Sequence, residues 1–198
     1  MELQTRGSLA LYLYNAYLLG KSESGVIPSQ ESVMLRVLSP LTKLFTGKEG
    51  VSVVSEGIEG FGGLGYMENS HIPSYLRDVQ VNSIWEGTTN VLCWDFVRAL
   101  QTCATNIDQL GGWFVSSFNI ATQSGSMLYQ NNDEFKSSMN KIILIHNKLW
   151  PILEEISRSK VIKELWEVNL REIVFATAHL IIACLFIRIL MERSSEDL

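Results

Sequence analysis

Apolar residues recur every three or four positions along most of this chain, and nowhere do they alternate with polar ones over a length that would line one face of a strand. That periodicity restricts the chain to packed helices, so an all-α class is expected: a helical bundle followed by a helical C-terminal extension. Residues 4–20 and 29–46 carry the spacing first, separated by Ser, Gly and Pro28, and read as two antiparallel helices with a kink at Pro40. Gly47 and Gly50 punctuate before a third stretch, where Val51, Val54 and Ile58 favour helix over strand. A loop containing glycine and proline is expected from Gly62 to about Gly87. Thr88 or Thr89 then caps a helix reaching about Cys103, with Val91, Leu92, Phe96, Leu100 and Cys103 on one stripe.

The segment from Gly111 to Asn132 is rich in Ser, Gly, Gln and Asn, the composition of a linker or irregular connection, although Trp113, Phe114 and Phe118 must pack somewhere. The spacing therefore predicts two units, 1–108 and 109–198. In the second, Ile142, Ile145, Leu149, Ile152, Leu153 and Ile156 trace an amphipathic helix with a kink or restart at Pro151, and an apolar helix closes the chain. Thr177, His179 and Arg188 interrupt that last run, so a buried helix is expected and no membrane span.

The formal charge of -5 leaves an acidic excess on both sides of Asn106, the opposite of the basic surface that nucleic acid requires; no nucleic-acid partner is expected. Cys93, Cys103 and Cys184 have neither framework nor metal spacing and read as small buried thiols of a reducing, intracellular compartment. With Glu2 ahead of the first apolar run, no secretory leader is expected. His71, His146 and His179 are scattered without ligand spacing, which gives no basis for a metal site or a hydrolytic triad.

Chemistry concentrates between Gly60 and Asn90. Gly60-Phe61-Gly62-Gly63-Leu64-Gly65 formally satisfies the dinucleotide pattern G-x-G-x-x-G, with Glu86 about twenty residues further on where a ribose acid would stand. That loop needs a strand before it and a helix directly after it; here a helix precedes, and Pro73 argues against an immediate helix. Two readings remain for the cluster. One is a phosphate cradle, since glycine lets backbone approach a diphosphate; the other is a helix end with a tight turn. Glu86 likewise has two readings. Between Trp85 and Gly87, an apolar pocket would raise its pKa and make it a general base with room for substrate beside the glycine. A lone Glu before a helix is otherwise a solvated or capping group, and the helix N-terminus favours its charged form.

The order of these pieces, GGLGY, then YLRD (Tyr75 to Asp78), then IWEGTTN, resembles the C-terminal helical domain of the acyl-CoA dehydrogenases, and the WEGT form resembles their AidB-like branch. The resemblance covers about residues 4–105; the remainder is similar, more loosely, to the extra C-terminal region of that branch. It implies that Glu86 removes the α-proton of an acyl-CoA while hydride leaves the β-carbon for FAD, giving a trans-2-enoyl-CoA. It further implies that Gly87 borders the thioester and that Thr88, Thr89 and Asn90 contact FAD. Glu59, Gly60, Phe61, Gly62 and Gly63 would touch the FAD of a neighbouring subunit, with Glu59 standing where many relatives have Gln. Arg77 and Asp78 read as a structural tie. The implied partners are an acyl-CoA substrate, an electron-transfer flavoprotein or another acceptor, and further copies in a homo-oligomer, in the mitochondrion or cytoplasm. The family's N-terminal helical and middle β-domains are not matched here, so a fragment inactive alone is expected. The alternative is a non-catalytic helical dimerisation or interaction module of the same descent.

Overall fold

The structure, a computed structural model, describes residues 1–122, 127–159 and 164–196. All regular elements among the described residues are helical: α1 (Glu2–Glu23), α2 (Ser29–Gly60), α3 (Gly63–Tyr66), α4 (Ile72–Val81), α5 (Thr89–Thr102), α6 (Ile107–Thr122), α7 (Met127–Asn131), α8 (Asp133–Arg158) and α9 (Glu164–Glu196), with single 3-10 turns at Glu68–Ser70 and Ala104–Asn106. The all-α expectation is met.

The long helix α2 organises the bundle. Val33, Met34, Val37, Leu38, Leu41, Leu44 and Phe45 are buried along it at helical spacing, facing α1, α5, α6 and α9. It runs unbroken through Pro40, because the apolar residues anchored on both sides outweigh the roughly 3 kcal/mol that an interior proline costs. It also runs through Gly47 and Gly50, which do not punctuate. A Cβ at Gly50 would lie 2.6 Å from Val79 Cγ2, and one at Gly47 would lie 3.0 Å from the Asn82 carbonyl. These glycines seat α4 and the turn after it against α2.

Two segments expected to be irregular are ordered helix. The stretch read as loop from Gly62 to Gly87 contains α4, whose Pro73 occupies the first turn, where its missing N–H costs no hydrogen bond. The stretch read as linker from Gly111 begins inside α6. Its Ser116, Ser117 and Thr122 hydroxyls donate to carbonyls three or four residues back, at 2.8, 2.9 and 2.9 Å, so turn-prone residues fit a helix. Trp113, Phe114 and Phe118 are core residues, and Gly111 admits the Trp150 ring of α8 to 2.7 Å from where a Cβ would stand. Residues 123–126 of that expected linker lie outside the described residues.

In α8, Asn132 caps the N-terminus by accepting from the Phe135 N–H at 2.9 Å, and the helix continues through Pro151. Ile145, expected on the buried stripe, faces solvent, while His146 packs between Phe114, Phe118 and the Trp150 ring. The terminal helix has the length and apolarity of a membrane span over Val168–Arg193, with mean hydropathy 2.4, and 56% of the most apolar stretch is buried in this bundle. Its Arg188 has a local explanation. The guanidinium donates to Ser117 Oγ (2.8 Å) and Ser116 Oγ (2.6 Å) and lies 4.9 Å from the centre of the Trp113 ring.

All three cysteines are buried and unpaired. Burial pushes each thiol up, Cys184 to about 12. A thiol with that pKa is ionised to only about one part in ten thousand at pH 8, and the thiolate is the reactive species. Native protein at pH 8 should therefore leave Cys184 unmodified by an aromatic disulfide reagent until guanidinium unfolds the chain. Rapid native labelling of Cys184 would contradict its placement in the core.

Candidate functional site

The chain leaves α4 at Val81 through a tight turn, with the N–H groups of Ile84 and Trp85 both donating to the Val81 carbonyl at 2.9 and 3.0 Å. Glu86 then takes φ +52°, the left-handed region that a residue with a Cβ rarely occupies, and Gly87 takes φ +107°. Gly87 is required twice over, since a Cβ there would also stand 3.1 Å from Leu92 Cδ2. Thr88 occupies the N-cap position of α5 in extended backbone, without a capping bond from its hydroxyl. Thr89 is buried, whereas Thr88 and Asn90 are exposed in the first turn.

Glu86 is exposed in this chain, beside Ile84 (58% exposed) and Trp85 (54%). The apolar enclosure expected around the carboxylate is thus not formed by these residues, because both apolar neighbours point away from the core. What the chain does form is an open cleft of about 270 Å³ between α2 and the turn, lined by Lys43, Thr46, Gly47, Asn82, Trp85 and Glu86. Lys43 reaches across it, its Nζ donating to the carbonyl oxygens of Trp85 (2.6 Å) and Gly87 (2.9 Å).

Sequence reasoning missed Lys43. The available signal was a charged side chain set among Leu41, Thr42, Leu44 and Phe45, all of them buried positions.

The glycine cluster lies elsewhere. It forms where α2 ends: the Gly62 N–H donates to the Glu59 carbonyl (2.9 Å), Gly62 turns the chain at φ +57° and ψ -136°, and four-residue α3 follows. A helix runs into these glycines, which removes the dinucleotide-fold reading. Around Gly60, Gly62 and Gly63 no heavy atom lies within 4 Å of an added Cβ, so a ligand's backbone-close approach is open there. Gly65 is the opposite case: its Cβ would meet the Ile58 carbonyl oxygen at 2.2 Å. Glu59 and Phe61 are exposed.

Below the turn, a cleft of about 540 Å³ between α2, α3 and α4 is lined by Ile58, Tyr66, Met67, Pro73 and Leu76. Arg77 at its edge pairs with both oxygens of Glu68 (3.0 and 3.1 Å), which holds that carboxyl below its usual range. The tie is therefore Arg77 to Glu68, and not to its neighbour Asp78.

The predicted site residues consequently fall into two groups. Glu86, Gly87, Thr88, Thr89 and Asn90 lie against α2 near Lys43 and Gly47. Glu59, Gly60, Phe61, Gly62 and Gly63 sit at its C-terminal end, about 20 Å farther along the axis at ~1.5 Å per residue.

Residues 8–101 match the family described as acyl-CoA dehydrogenase, C-terminal domain. Acyl-CoA dehydrogenase family member 11 of Caenorhabditis elegans is 55% identical over 98 residues, which are 50% of this chain and 16% of that protein. The putative acyl-CoA dehydrogenase AidB of Escherichia coli is 36% identical over 115 residues, 58% of this chain and 20% of the relative. The chain thus spans about a fifth or less of these curated relatives. Among solved structures, Caenorhabditis elegans ACDH-11 in complex with C11-CoA matches 94% of this chain and 30% of its own, at 35% identity and a TM-score of 0.73. The structure described as the apo-form of Bd2924 matches 93% of this chain and 31% of its own, at 31% identity and a TM-score of 0.66.

Proposed function

Given that this chain, through residues 8–101, belongs to the acyl-CoA dehydrogenase family and carries its C-terminal helical domain, we propose that it supplies the base and part of the flavin-binding surface for α,β-dehydrogenation of an acyl-CoA thioester. The observation that carries this reading is the backbone of Glu86. A non-glycine residue at positive φ is uncommon, and here that backbone presents the carboxylate at the mouth of a cleft.

In this reading the Glu86 carboxylate accepts the α-proton, and Gly87 leaves space for the thioester. The walls that desolvate Glu86 come from outside this chain, consistent with relatives several times longer. A bound FAD supplies the hydride acceptor. Thr88, Thr89 and Asn90 would hold the flavin next to Glu86, and the open ground above Gly60, Gly62 and Gly63 fits close approach by its diphosphate. The roughly 20 Å between the two groups favours their serving two different flavins, one of them bound to a neighbouring subunit of a homo-oligomer. Exposed Glu59 would add a negative charge beside that diphosphate, so backbone and not this side chain makes the contact.

A second reading, a helical interaction module without flavin, is favoured by α1. Besides its buried face of Leu11 and Leu18, it exposes Leu9, Tyr12, Leu13 and Tyr17 at helical spacing. Grafting separates the two. The purified chain alone should retain little FAD and show little dehydrogenase activity, because it presents only part of a pocket. Residues 8–101 grafted into the nematode relative should give a flavin-bound protein that reduces a dye with acyl-CoA. A colourless graft that still assembles as an oligomer would favour the interaction module.

A further inference from the structure

We propose that Lys43 is a positioning residue for Glu86, a role that rests on reading Glu86 as the base. The carbonyls of Trp85 and Gly87 flank Glu86, and both accept from one atom, Lys43 Nζ, at 2.6 and 2.9 Å. Tying those two carbonyls to a common donor fixes the Trp85–Glu86 peptide plane just before Glu86 and the Gly87–Thr88 plane just beyond Gly87, so the turn that holds Glu86 at φ +52° is pinned at both ends. The lysine stands on a rigid support. Leu41, Leu44 and Phe45 around it are at most 3% exposed, so α2 cannot roll to release the turn without opening the core.

Lys43 makes none of the ion pairs found among the described residues, and Glu86 is in none of them either. The ammonium therefore grips backbone, and no direct ion pair among the described residues ties up the carboxylate. Asn82 adds a lighter restraint, accepting from Trp85 Nε1 at 3.3 Å. Seen this way, the Lys43 contact converts the depth of α2 in the core into the orientation of a side chain at the surface.

The test uses two variants and two readouts. In the 198-residue chain, Lys43→Met should speed amide hydrogen exchange across residues 84–89 by about tenfold or more, with protection of α2 and α4 unchanged; Lys43→Arg, which can also donate to two carbonyls, should restore most of it. In a flavin-loaded enzyme carrying this domain, Lys43→Met should slow the proton-abstraction step by about a hundredfold, the size expected of a misplacement near 1 Å, with acyl-CoA affinity changed much less and Lys43→Arg recovering most of the rate. Unchanged exchange at 84–89 overturns the proposal, and so does a general loss of protection through α2 and α4, which would make Lys43 a packing residue. If Glu86→Gln in the same enzyme keeps the parent rate, the base assignment fails and the catalytic role of Lys43 fails with it. The exchange data still decide, on their own, whether Lys43 holds the turn.

Discussion

Glu86→Gln, in a flavin-loaded enzyme carrying this domain, should slow turnover of an acyl-CoA by about a hundredfold to ten-thousandfold, the cost of removing a general base. The amide fills the volume of the carboxylate and tolerates the same backbone, so the turn at φ +52° and the bonds from Lys43 should persist. What disappears, on the proposed role of Glu86, is the acceptor for the α-proton. Flavin content and acyl-CoA affinity should change far less, because Gly62, Gly63, Thr88 and Asn90 are untouched. Dye reduction under saturating acyl-CoA, with FAD quantified by absorbance in the same samples, checks both halves of the expectation.

Gly65→Ala should be the most damaging small substitution in the glycine cluster. Its Cβ would be forced to 2.2 Å from the Ile58 carbonyl oxygen, a backbone atom that cannot swing aside, so α3 must lift away from the end of α2. Overpacking of this kind typically costs about 1–3 kcal/mol and sometimes more, and in a chain of this size 3 kcal/mol lowers the melting midpoint by roughly 6–12 °C. Gly63→Ala is the control. With nothing within 4 Å of the added methyl, it should leave the melting temperature of the free chain within a degree or two, yet weaken FAD binding if the diphosphate approaches that backbone. Thermal melts of both variants followed by circular dichroism measure the difference. Equal stability of the Gly65 and Gly63 variants would contradict the described packing of α3.

These two regions also show where sequence pattern stops being informative. Residues 4–20 and 29–46 were legible as helix because each stretch buries a face whose spacing is written in its own residues. Gly47 and Gly50 look like breaks in isolation, and only the approach of Val79 and Asn82 shows them to be contact points inside α2. Pro73 reads as an argument against helix until its place in the first turn of α4 is known. Residues 111–122 have the composition of a linker, but the burial of Trp113, Phe114 and Phe118 decides their conformation.

At the site, the glycines and the Trp85-Glu86-Gly87 triplet stood out as a local motif. The exposure of Glu86, its left-handed backbone and the grip of Lys43 did not, because they follow from a contact 42 residues away in sequence. The distance between the glycine cluster and Glu86 was equally illegible. The resemblance had implied contacts to flavins of different subunits, and the straight run of α2 supplies the separation, about 20 Å.

The central claim is that Glu86 accepts the α-proton of a bound acyl-CoA. Its most direct measurement uses an acyl-CoA analogue with sulfur in place of the β-methylene, which can lose an α-proton but has no β-hydride to give. Incubated in deuterated water with a flavin-loaded enzyme carrying this domain, the analogue should gain deuterium at its α-carbon, read by mass spectrometry. The Glu86→Gln variant, saturated with the same analogue, should incorporate deuterium no faster than enzyme-free buffer. Incorporation by that variant at the parent rate would contradict the claim, place the base on another residue, and return Glu86 to a strained surface turn without a catalytic task.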